Sequence, residues 1–280
     1  MPPVPSLPHA ARRVTTVGLL GSSPRRLTSS ITWAPVPCTW YDFSTPVPYM
    51  TSWRWQQALL AHRTSGVGAA RASLRDVVIS LEHPHVYTLG RSATAAHLLF
   101  DPASGAVDAE VHTVERGGQV TYHGPGQLVV YPLLNLTRFS RDLHWYVRTL
   151  EDTIIGALAH FGLEGSRSQG FPGVWVGSRK IAAVGMACSK WVTSHGLALN
   201  VQPDLRYFQH IVPCGIEDRA VTSIAAELGH ARVSVEEAKR VVLAELQARL
   251  NAELHRSMED PVEEGARALA EAIAQERATG

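Results

Sequence analysis

Residues 116–127 read Arg-Gly-Gly-Gln-Val-Thr-Tyr-His-Gly-Pro-Gly-Gln and form the most unusual stretch of the 280-residue chain. Four glycines and one proline within twelve residues exclude an ordinary helix or a central strand. Glycine lets the backbone approach a ligand closely, and polar side chains stand among these glycines. No Gly-Lys-Ser/Thr follows, so the stretch is not a phosphate-binding P-loop. The two interpretations are a ligand-binding loop and a tight β-turn with solvated polar residues.

Short apolar runs on both sides of this stretch predict strands. They cover residues 77–81, 111–115, 128–136 and 192–201. Two further runs, 173–176 and 180–184, are separated by Gly177-Ser178, which predicts a hairpin. Residues 101–110 are predicted to be a loop.

Three helices are predicted between these runs. One covers about Trp53 to Arg63, and apolar positions three and four apart indicate a second from Val147 to Phe161 that stops at Gly162. Ser234 and Glu237 form a capping-box pattern that opens a third helix, extending to about Leu254. Helices and strands mix without regular βαβ alternation, which favours an α+β fold.

The composition indicates a globular protein with a core, because 45% of residues are hydrophobic and 18% are charged. A formal net charge of +1 gives no reason to expect nucleic acid or an anionic membrane as the main partner. The apolar runs fall short of the ~20 residues that span a bilayer. No signal-peptide pattern opens the sequence, so we expect a cytoplasmic protein.

Cys214 is a candidate nucleophile because Pro213 and Gly215 fix a sharp turn that would project its thiol. The alternative is a small buried hydrophobe, the usual role of free cysteine. Lys180 opens an apolar run, where an inward ammonium near a thiol would lower the pKa of that thiol. Spacing alone does not show that these two residues meet. The histidines at 83, 85, 123 and 195 match no common ligand spacing, so no metal is expected.

Five separate blocks, in order, resemble one known family: the octanoyltransferases of lipoate biosynthesis, also called lipoyl(octanoyl) transferases or the lipoate biosynthesis protein B family. The resemblance covers roughly residues 43–250, and its blocks are residues 81–91, 116–127, 180–185, 194–201 and 211–216. Ala187 and Cys188 depart from the family pattern, in which a more polar residue is common. A contact to the carrier is therefore expected to differ here.

The resemblance implies a fold and a set of site residues. The fold would be an α+β biotin/lipoate protein ligase-like catalytic domain, with a mixed β-sheet flanked by helices and an acyl-binding tunnel. Cys214 would carry the acyl thioester, and Lys180 would lower the pKa of its thiol and later act as general base. The acyl substrate would be bound by Arg116, Gly117, Gly118, Gln119, Val120, Thr121, Tyr122, His123, Ala183, Val184, Gly185, Gly196, Leu197 and Ala198.

The implied donor is octanoyl-acyl carrier protein. The implied acceptors are lipoyl domains of 2-oxoacid dehydrogenase complexes and the glycine cleavage H protein, with no cofactor, nucleic acid or membrane involved. Exchange of a thioester for an amide is downhill, so ATP is not needed. The alternatives are an ATP-dependent lipoate-protein ligase, a non-catalytic octanoyl-binding protein and a cysteine hydrolase with His195 as base.

The sequence is accordingly divided into three parts. Residues 1–42 are expected to be a disordered N-terminal extension, 43–255 the octanoyltransferase catalytic domain and 256–280 a C-terminal tail. The first 41 residues hold four arginines and no acidic residue, which would also suit an organellar transit peptide or a start codon assigned too far upstream.

Overall fold

The computed structural model describes residues 34–65, 74–212, 220–229, 233–264 and 267. The chain divides into Met1–Pro35 and Val36–Gly280, and every element below belongs to the second unit. The described helices include none that is long and apolar enough to cross a membrane.

Strands and helices are interspersed along the chain. In chain order the strands are β1 (Val36–Asp42), β2 (Asp76–Leu81), β3 (Val86–Leu89), β4 (Glu110–Thr113), β5 (Val120–His123), β6 (Gln127–Leu133), β7 (Ser166–Ser168), β8 (Phe171–Val176), β9 (Arg179–Ser189), β10 (Val192–Asn200) and β11 (Ala252–Ser257). The helices are α1 (Tyr49–Ser65), α2 (Leu143–His160), α3 (Ile224–Glu227) and α4 (Val235–Leu250). Short 3-10 turns cover Ala95–His97, Pro102–Ser104, Leu136–Arg138 and Leu205–His210.

The main sheet has eight strands in the order β11-β1-β2-β6-β10-β9-β8-β7. β1 runs parallel to both β11 and β2, and the remaining neighbours pair antiparallel. A second sheet of three strands has the order β4-β3-β5, with β3 parallel to β4 and antiparallel to β5. Mixed sheets with flanking helices confirm the predicted α+β class.

Both faces of the main sheet are covered, which explains why its central strands read as continuous apolar runs. Val78 of β2 packs in the cluster shared with α2 and α4, whereas its neighbours Val77 and Ile79 pack with Leu59 of α1. Alternate side chains of one strand therefore enter two different cores. Each fully buried Leu or Ile there contributes about 1.5–3 kcal/mol of transfer free energy.

Local chemistry sets the helix ends. Asp142 accepts from His144 N and Trp145 N at the start of α2, and Ser234 accepts from Glu237 N at the start of α4. The predicted stop at Gly162 is confirmed by its left-handed φ of +74°. The predicted hairpin turn is also confirmed, since Gly177 has φ +57° between β8 and β9.

Three predicted boundaries differ from the structure. The third helix ends at Leu250 and not at Leu254, because Asn251 adopts a left-handed conformation (φ 48°) and the chain continues as β11. The folded part also begins before Phe43, because Val36–Asp42 pairs inside the main sheet. The expected boundary after residue 255 falls within β11.

Candidate active site

A cavity of about 300 Å³ opens among the glycine-rich stretch, β9 and β10. Of the residues that the resemblance assigned to substrate, it is lined by Arg116, Gly117, Gly118, Gln119, Val120, Thr121, His123, Ala183, Val184, Gly185, Gly196, Leu197 and Ala198. Lys180 lines it as well. Cys214 lies outside the described residues. Three segments that are distant in sequence thus meet around one space.

Backbone hydrogen bonds hold the loop of residues 116–119 in place. Gly90 N donates to Gln119 O (3.1 Å), Ser92 N to Gly118 O (3.1 Å) and Gly117 N to Met186 O (2.9 Å). A Cβ on Gly90 would lie 2.4 Å from Gly118 O, so only glycine permits this approach. The loop therefore lines the cavity and is anchored to β9, and residues 120–123 continue it as an edge strand.

Arg116 is buried beneath this loop. Its Nη2 donates to Thr88 O (2.6 Å) and Thr88 Oγ1 (2.8 Å), and its Nη1 donates to Gly117 O (3.0 Å). These bonds fix a planar cation in the wall of the cavity. A Cβ on Gly185 would lie 3.3 Å from Arg116 Cδ, so the glycine in β9 leaves the space that the arginine stem occupies.

Gly196 brings β10 close to β6. It pairs with Gly185 across the sheet, and a Cβ at Gly196 would lie 2.3 Å from Val130 O. Side chains at these two positions would meet Arg116 and the β6 backbone. The glycines therefore permit the close packing of this wall of the cavity.

Lys180 stands at the start of β9, half-buried, with its Nζ 5.6 Å from the centre of the Trp175 ring. Its N–H donates to Ala220 O (2.9 Å), and its carbonyl accepts from Thr222 N (2.9 Å). The chain is described again from Ala220 after the segment that contains Cys214. The lysine is therefore paired through its backbone with the residues that follow that segment.

The full sequence contains three lysines among its 26 basic Lys and Arg residues. Lys239 is buried and its Nζ lies 2.6 Å from Asp42 Oδ1. Lys190 donates to Thr64 O (2.9 Å) at the turn between β9 and β10. Lys180 is the lysine at the cavity.

A buried polar network runs from His123 towards Lys180. His123 Nδ1 donates to Gln127 Oε1 (2.7 Å), Gln127 Nε2 to Asn200 Oδ1 (2.9 Å) and Asn200 Nδ2 to Thr222 O (2.9 Å). Burial, together with the neighbouring His83, holds the pKa of His123 well below its ordinary value. His123 is therefore neutral in the cavity wall, and the network fixes the segment that pairs with Lys180.

His83 is a buried structural residue. Its Nδ1 donates to Val47 O (2.6 Å), and its Nε2 accepts from the hydroxyl of Tyr131 (2.8 Å). Burial lowers the pKa of His83 to about 4. Among the described residues, no three His, Cys, Asp or Glu side chains are grouped to hold a metal ion.

His195 takes an unusual backbone conformation within β10. Its φ is +58°, its N–H donates to Gln56 Oε1 (2.7 Å), and its Nε2 lies 3.1 Å from Glu115 Oε1. Trp53 and Gln57 of α1 also donate to this carboxylate. Burial opposes ionisation of Glu115, but the hydrogen bonds from His195 and Trp53 outweigh it and lower its pKa to about 2. Glu115 precedes Arg116, so the contact joins α1 and β10 to the start of the glycine-rich loop.

The expected substrate contact of Tyr122 has to be corrected. Its hydroxyl bonds to His85 Nδ1 (2.7 Å), and its ring stacks on Tyr207 with centroids 5.0 Å apart. Successive side chains of a strand point to opposite faces. Tyr122 consequently packs away from the side on which Thr121 and His123 line the cavity.

Several lining residues were not among the predicted substrate-binding residues. They are Tyr49, Gln127, Val129, Tyr131, Val147, Pro172, Ala182, Met186, His195, Asn200, Phe208 and Val221. Val147 was recognised only as part of an amphipathic helix face, and Tyr49 stands just before the predicted first helix. Neither position carries a local signal for ligand contact, because the surfaces meet only through the sheet topology.

The chain matches a protein family, curated relatives and solved structures. Residues 48–247 match the lipoyl protein ligase A/B catalytic domain family. A curated octanoyltransferase from Gloeobacter violaceus is 57% identical over 170 residues, which cover 61% of this chain and 72% of that protein. A chloroplastic octanoyltransferase from Arabidopsis thaliana is 46% identical over 192 residues, 68% of each chain.

Solved structures that share the fold include two lipoate protein ligases. Lipoate-protein ligase A bound with ATP aligns with a TM-score of 0.65 at 17% identity, covering 84% of this chain and 94% of that one. A bipartite lipoate protein ligase from Thermoplasma acidophilum aligns with a TM-score of 0.63 at 17% identity, covering 84% and 91%. At this identity the likeness concerns architecture, and it confirms the expected ligase-like fold.

Proposed function

The chain belongs to the family of lipoyl protein ligase A/B catalytic domains, and from that membership we propose how it works as an octanoyltransferase. It is an acyltransferase of lipoate biosynthesis, as its identity of 46–57% to octanoyltransferases supports. The donor is octanoyl-acyl carrier protein, and the acceptor is a lysine of a lipoyl domain. The acyl group passes through a thioester on Cys214.

The observation that carries the proposal is the placement of Lys180 at a cavity walled by glycines and apolar side chains. Burying the six methylenes and the methyl of an octanoyl chain there would contribute roughly 5–6 kcal/mol at about 0.8 kcal/mol per carbon. The described residues after Cys214 pair with Lys180, because Ala220 and Thr222 bond to its backbone. This connectivity supports a Cys214–Lys180 pair beside the cavity.

In the first half-reaction, the Cys214 thiolate attacks the carbonyl carbon of the donor thioester. The bond from that carbon to the carrier sulfur breaks as the bond to Cys214 forms. The carrier sulfur leaves as a thiolate and takes a proton from the Lys180 ammonium. Octanoyl-Cys214 and a neutral Lys180 remain.

In the second half-reaction, the neutral amine of the acceptor lysine attacks octanoyl-Cys214. Lys180 takes the proton that the amine loses, and Cys214 leaves as a thiolate. The initial thiolate–ammonium pair is thereby restored. The product is an amide, so the overall exchange proceeds downhill without ATP.

Intact-mass measurement tests this route directly. The wild-type protein, incubated with octanoyl-acyl carrier protein, should gain one octanoyl group, which apo lipoyl domain then removes without ATP. Cys214→Ala should gain nothing, whereas Cys188→Ala, a matched control at an exposed cysteine, should behave as wild type. Octanoyl transfer by Cys214→Ala at the wild-type rate would overturn the thioester intermediate.

A further inference from the structure

The lysine at the cavity lies against a glycine that has no room for a side chain. A Cβ on Gly173 would lie 2.7 Å from Lys180 Cε and 3.3 Å from Lys180 Nζ. Carbon atoms in ordinary contact are about 3.5–4.0 Å apart. The stem of Lys180 therefore occupies the space that a side chain at residue 173 would need.

The backbone around Gly173 also departs from regular strand geometry. Its φ is +120°, a conformation that glycine takes at little cost and other residues rarely adopt. The register of β8 on β9 shifts between Val174 and Trp175, which leaves one extra residue in β9 just after Lys180. A β-bulge of this kind changes the direction of nearby side chains. The irregular pairing therefore bears directly on where the Lys180 side chain points.

A buried carboxylate of α2 holds this backbone in place. Glu151 is buried, and its Oε1 accepts a hydrogen bond from Gly173 N (2.9 Å). Its Oε2 accepts from Arg167 Nε (2.9 Å), so both carboxylate oxygens have donors. Hydrogen bonds to an ionised acceptor are stronger than neutral ones. The bond from Glu151 thus restrains a residue that has great conformational freedom of its own.

The position of Glu151 on α2 links that helix to the cavity. Val147 lines the cavity, and Glu151 lies one turn further along the same helix face. Pro172, which precedes Gly173, lines the cavity as well. Glu151 is not among the lining residues, so it acts on the cavity through the backbone that it holds.

We propose that Glu151 and Gly173 are positioning residues that set the direction of the Lys180 side chain. Glu151 holds the main chain of Gly173, and the missing side chain at Gly173 leaves the path along which Lys180 extends beside the Trp175 ring. The consequence for catalysis rests on the proposed function, whereas the placement of Lys180 can be measured without it.

NMR signals of the lysines test this placement, because the chain holds three of them. Protein labelled with ¹³C at the lysine ε carbons should give three ε-methylene signals, and the one absent from Lys180→Met belongs to Lys180. The ring current of Trp175, over which the Lys180 ammonium lies, makes this signal sensitive to the direction of the side chain. Gly173→Ala and Glu151→Met should each move it and leave the other two signals in place, which also shows that each variant is folded.

Gly177→Ala and Asp152→Met are the matched controls. Gly177 also has a positive φ, +57°, but a Cβ there would meet nothing within 4 Å. Asp152 follows Glu151 and contacts the same Arg167 from an exposed position. Both control variants should keep the Lys180 signal of wild type.

The rate of acyl-enzyme formation at saturating octanoyl-acyl carrier protein measures the consequence for catalysis. In Glu151→Met and Gly173→Ala it should fall about 10²-fold, as expected for a displaced catalytic group. The donor concentration that gives half the maximal rate should stay unchanged in Glu151→Met, since Glu151 does not line the cavity. Gly177→Ala and Asp152→Met should acylate as wild type does.

A Lys180 signal that stays in place in both Gly173→Ala and Glu151→Met would overturn the proposal. So would a signal that moves as far in the two controls, because the effect would then be general. Failure of wild type to form acyl-enzyme would instead reject the proposed function, and the lysine signals would still decide the placement of Lys180.

Discussion

At the residue scale, Lys180 is the side chain whose removal should separate binding from chemistry. In the proposed Cys214–Lys180 pair, Lys180→Met would remove the cation beside the thiolate, and the pKa of the thiol would return towards its ordinary value. Acyl-enzyme formation at pH 7 should slow by about 10²–10⁴ and should recover as pH rises. Rapid-quench mass spectrometry between pH 6 and 10 measures both effects.

Lys190→Met provides the control for that experiment, because this lysine lies at the turn after β9 and bonds to Thr64. It should acylate as wild type does. A Lys180→Met protein with wild-type rate and wild-type pH profile would refute the assigned role.

The buried imidazole of His83 makes stability depend on pH. Its pKa is lowered to about 4 by burial, whereas the unfolded chain binds this proton near pH 6.5. The unfolded state therefore holds more protons between these values, and stability present above pH 6.5 is lost as pH falls towards 4. The expected loss from this residue is roughly 3 kcal/mol.

Urea denaturation of wild type and His83→Gln at pH 7 and pH 5 measures this contribution. The variant should lose less stability between the two pH values than wild type does. Asp76, whose pKa burial raises to about 6, acts in the opposite direction and is common to both proteins. Equal losses in both proteins would contradict the prediction.

At this scale the sequence predicted much of the cavity wall but not the position of every side chain. The blocks around Arg116, Gly185 and Gly196 were recognised from their resemblance, and the structure gathers them around one space. Tyr122 was misassigned because a motif does not reveal which face of a strand a residue occupies. The pairing of Lys180 with Cys214 stays a prediction.

At the scale of elements, the left-handed backbone at His195 in β10 reverses the usual effect of glycine. Within a strand, glycine normally lowers stability relative to alanine. His195 has φ +58°, a conformation that costs an L-residue about 1 kcal/mol and glycine almost nothing. Both His195→Ala and His195→Gly lose the contact to Glu115. The glycine variant should nevertheless be more stable than the alanine variant by about 1 kcal/mol.

Ser194 is the matched neighbour, since it is not among the described residues with positive φ. There the order should invert, with Ser194→Ala more stable than Ser194→Gly. Chemical denaturation of the four variants decides the matter. Greater stability of His195→Ala would show that the backbone at this position is not held in the left-handed region.

Elements with a long hydrophobic periodicity or a clear turn signal were predicted well. Short strands that form only by pairing with another strand were predicted poorly. The helix at 147–161 and the hairpin at 177–178 carry their own signals of spacing and turn chemistry. β1 and β11 have none, because each is a short strand that becomes stable by pairing with the other. The chain after Leu250 therefore read as a continuing helix.

At the scale of the whole molecule, one buried ion pair joins the beginning and the end of the fold. Asp42 closes β1, and its carboxylate contacts Lys239 of α4 at 2.6 Å and Arg256 of β11 at 3.0 Å. Removing one partner of a buried pair leaves the other charged and unsolvated. Asp42→Ala should lower the free energy of unfolding by about 3–5 kcal/mol.

Glu236→Ala removes an exposed carboxylate that contacts the same lysine and should cost less than about 1 kcal/mol. Urea titration of both variants at neutral pH gives the comparison. Similar small losses of unfolding free energy in the two proteins would mean that the Asp42 contact contributes little to holding β1 against α4 and β11.

The scarcity of lysine bears on what an acylated enzyme does to itself. An acyl thioester modifies any unprotonated amine within reach, and its own surface is the nearest protein. Here Lys239 is buried against a carboxylate and Lys190 bonds to a carbonyl, while guanidinium groups, which stay protonated, supply most of the positive charge. Apart from Lys180 itself, the chain thus offers few amines to a thioester on Cys214, so the proposed acyl-enzyme would have little opportunity to modify its own surface.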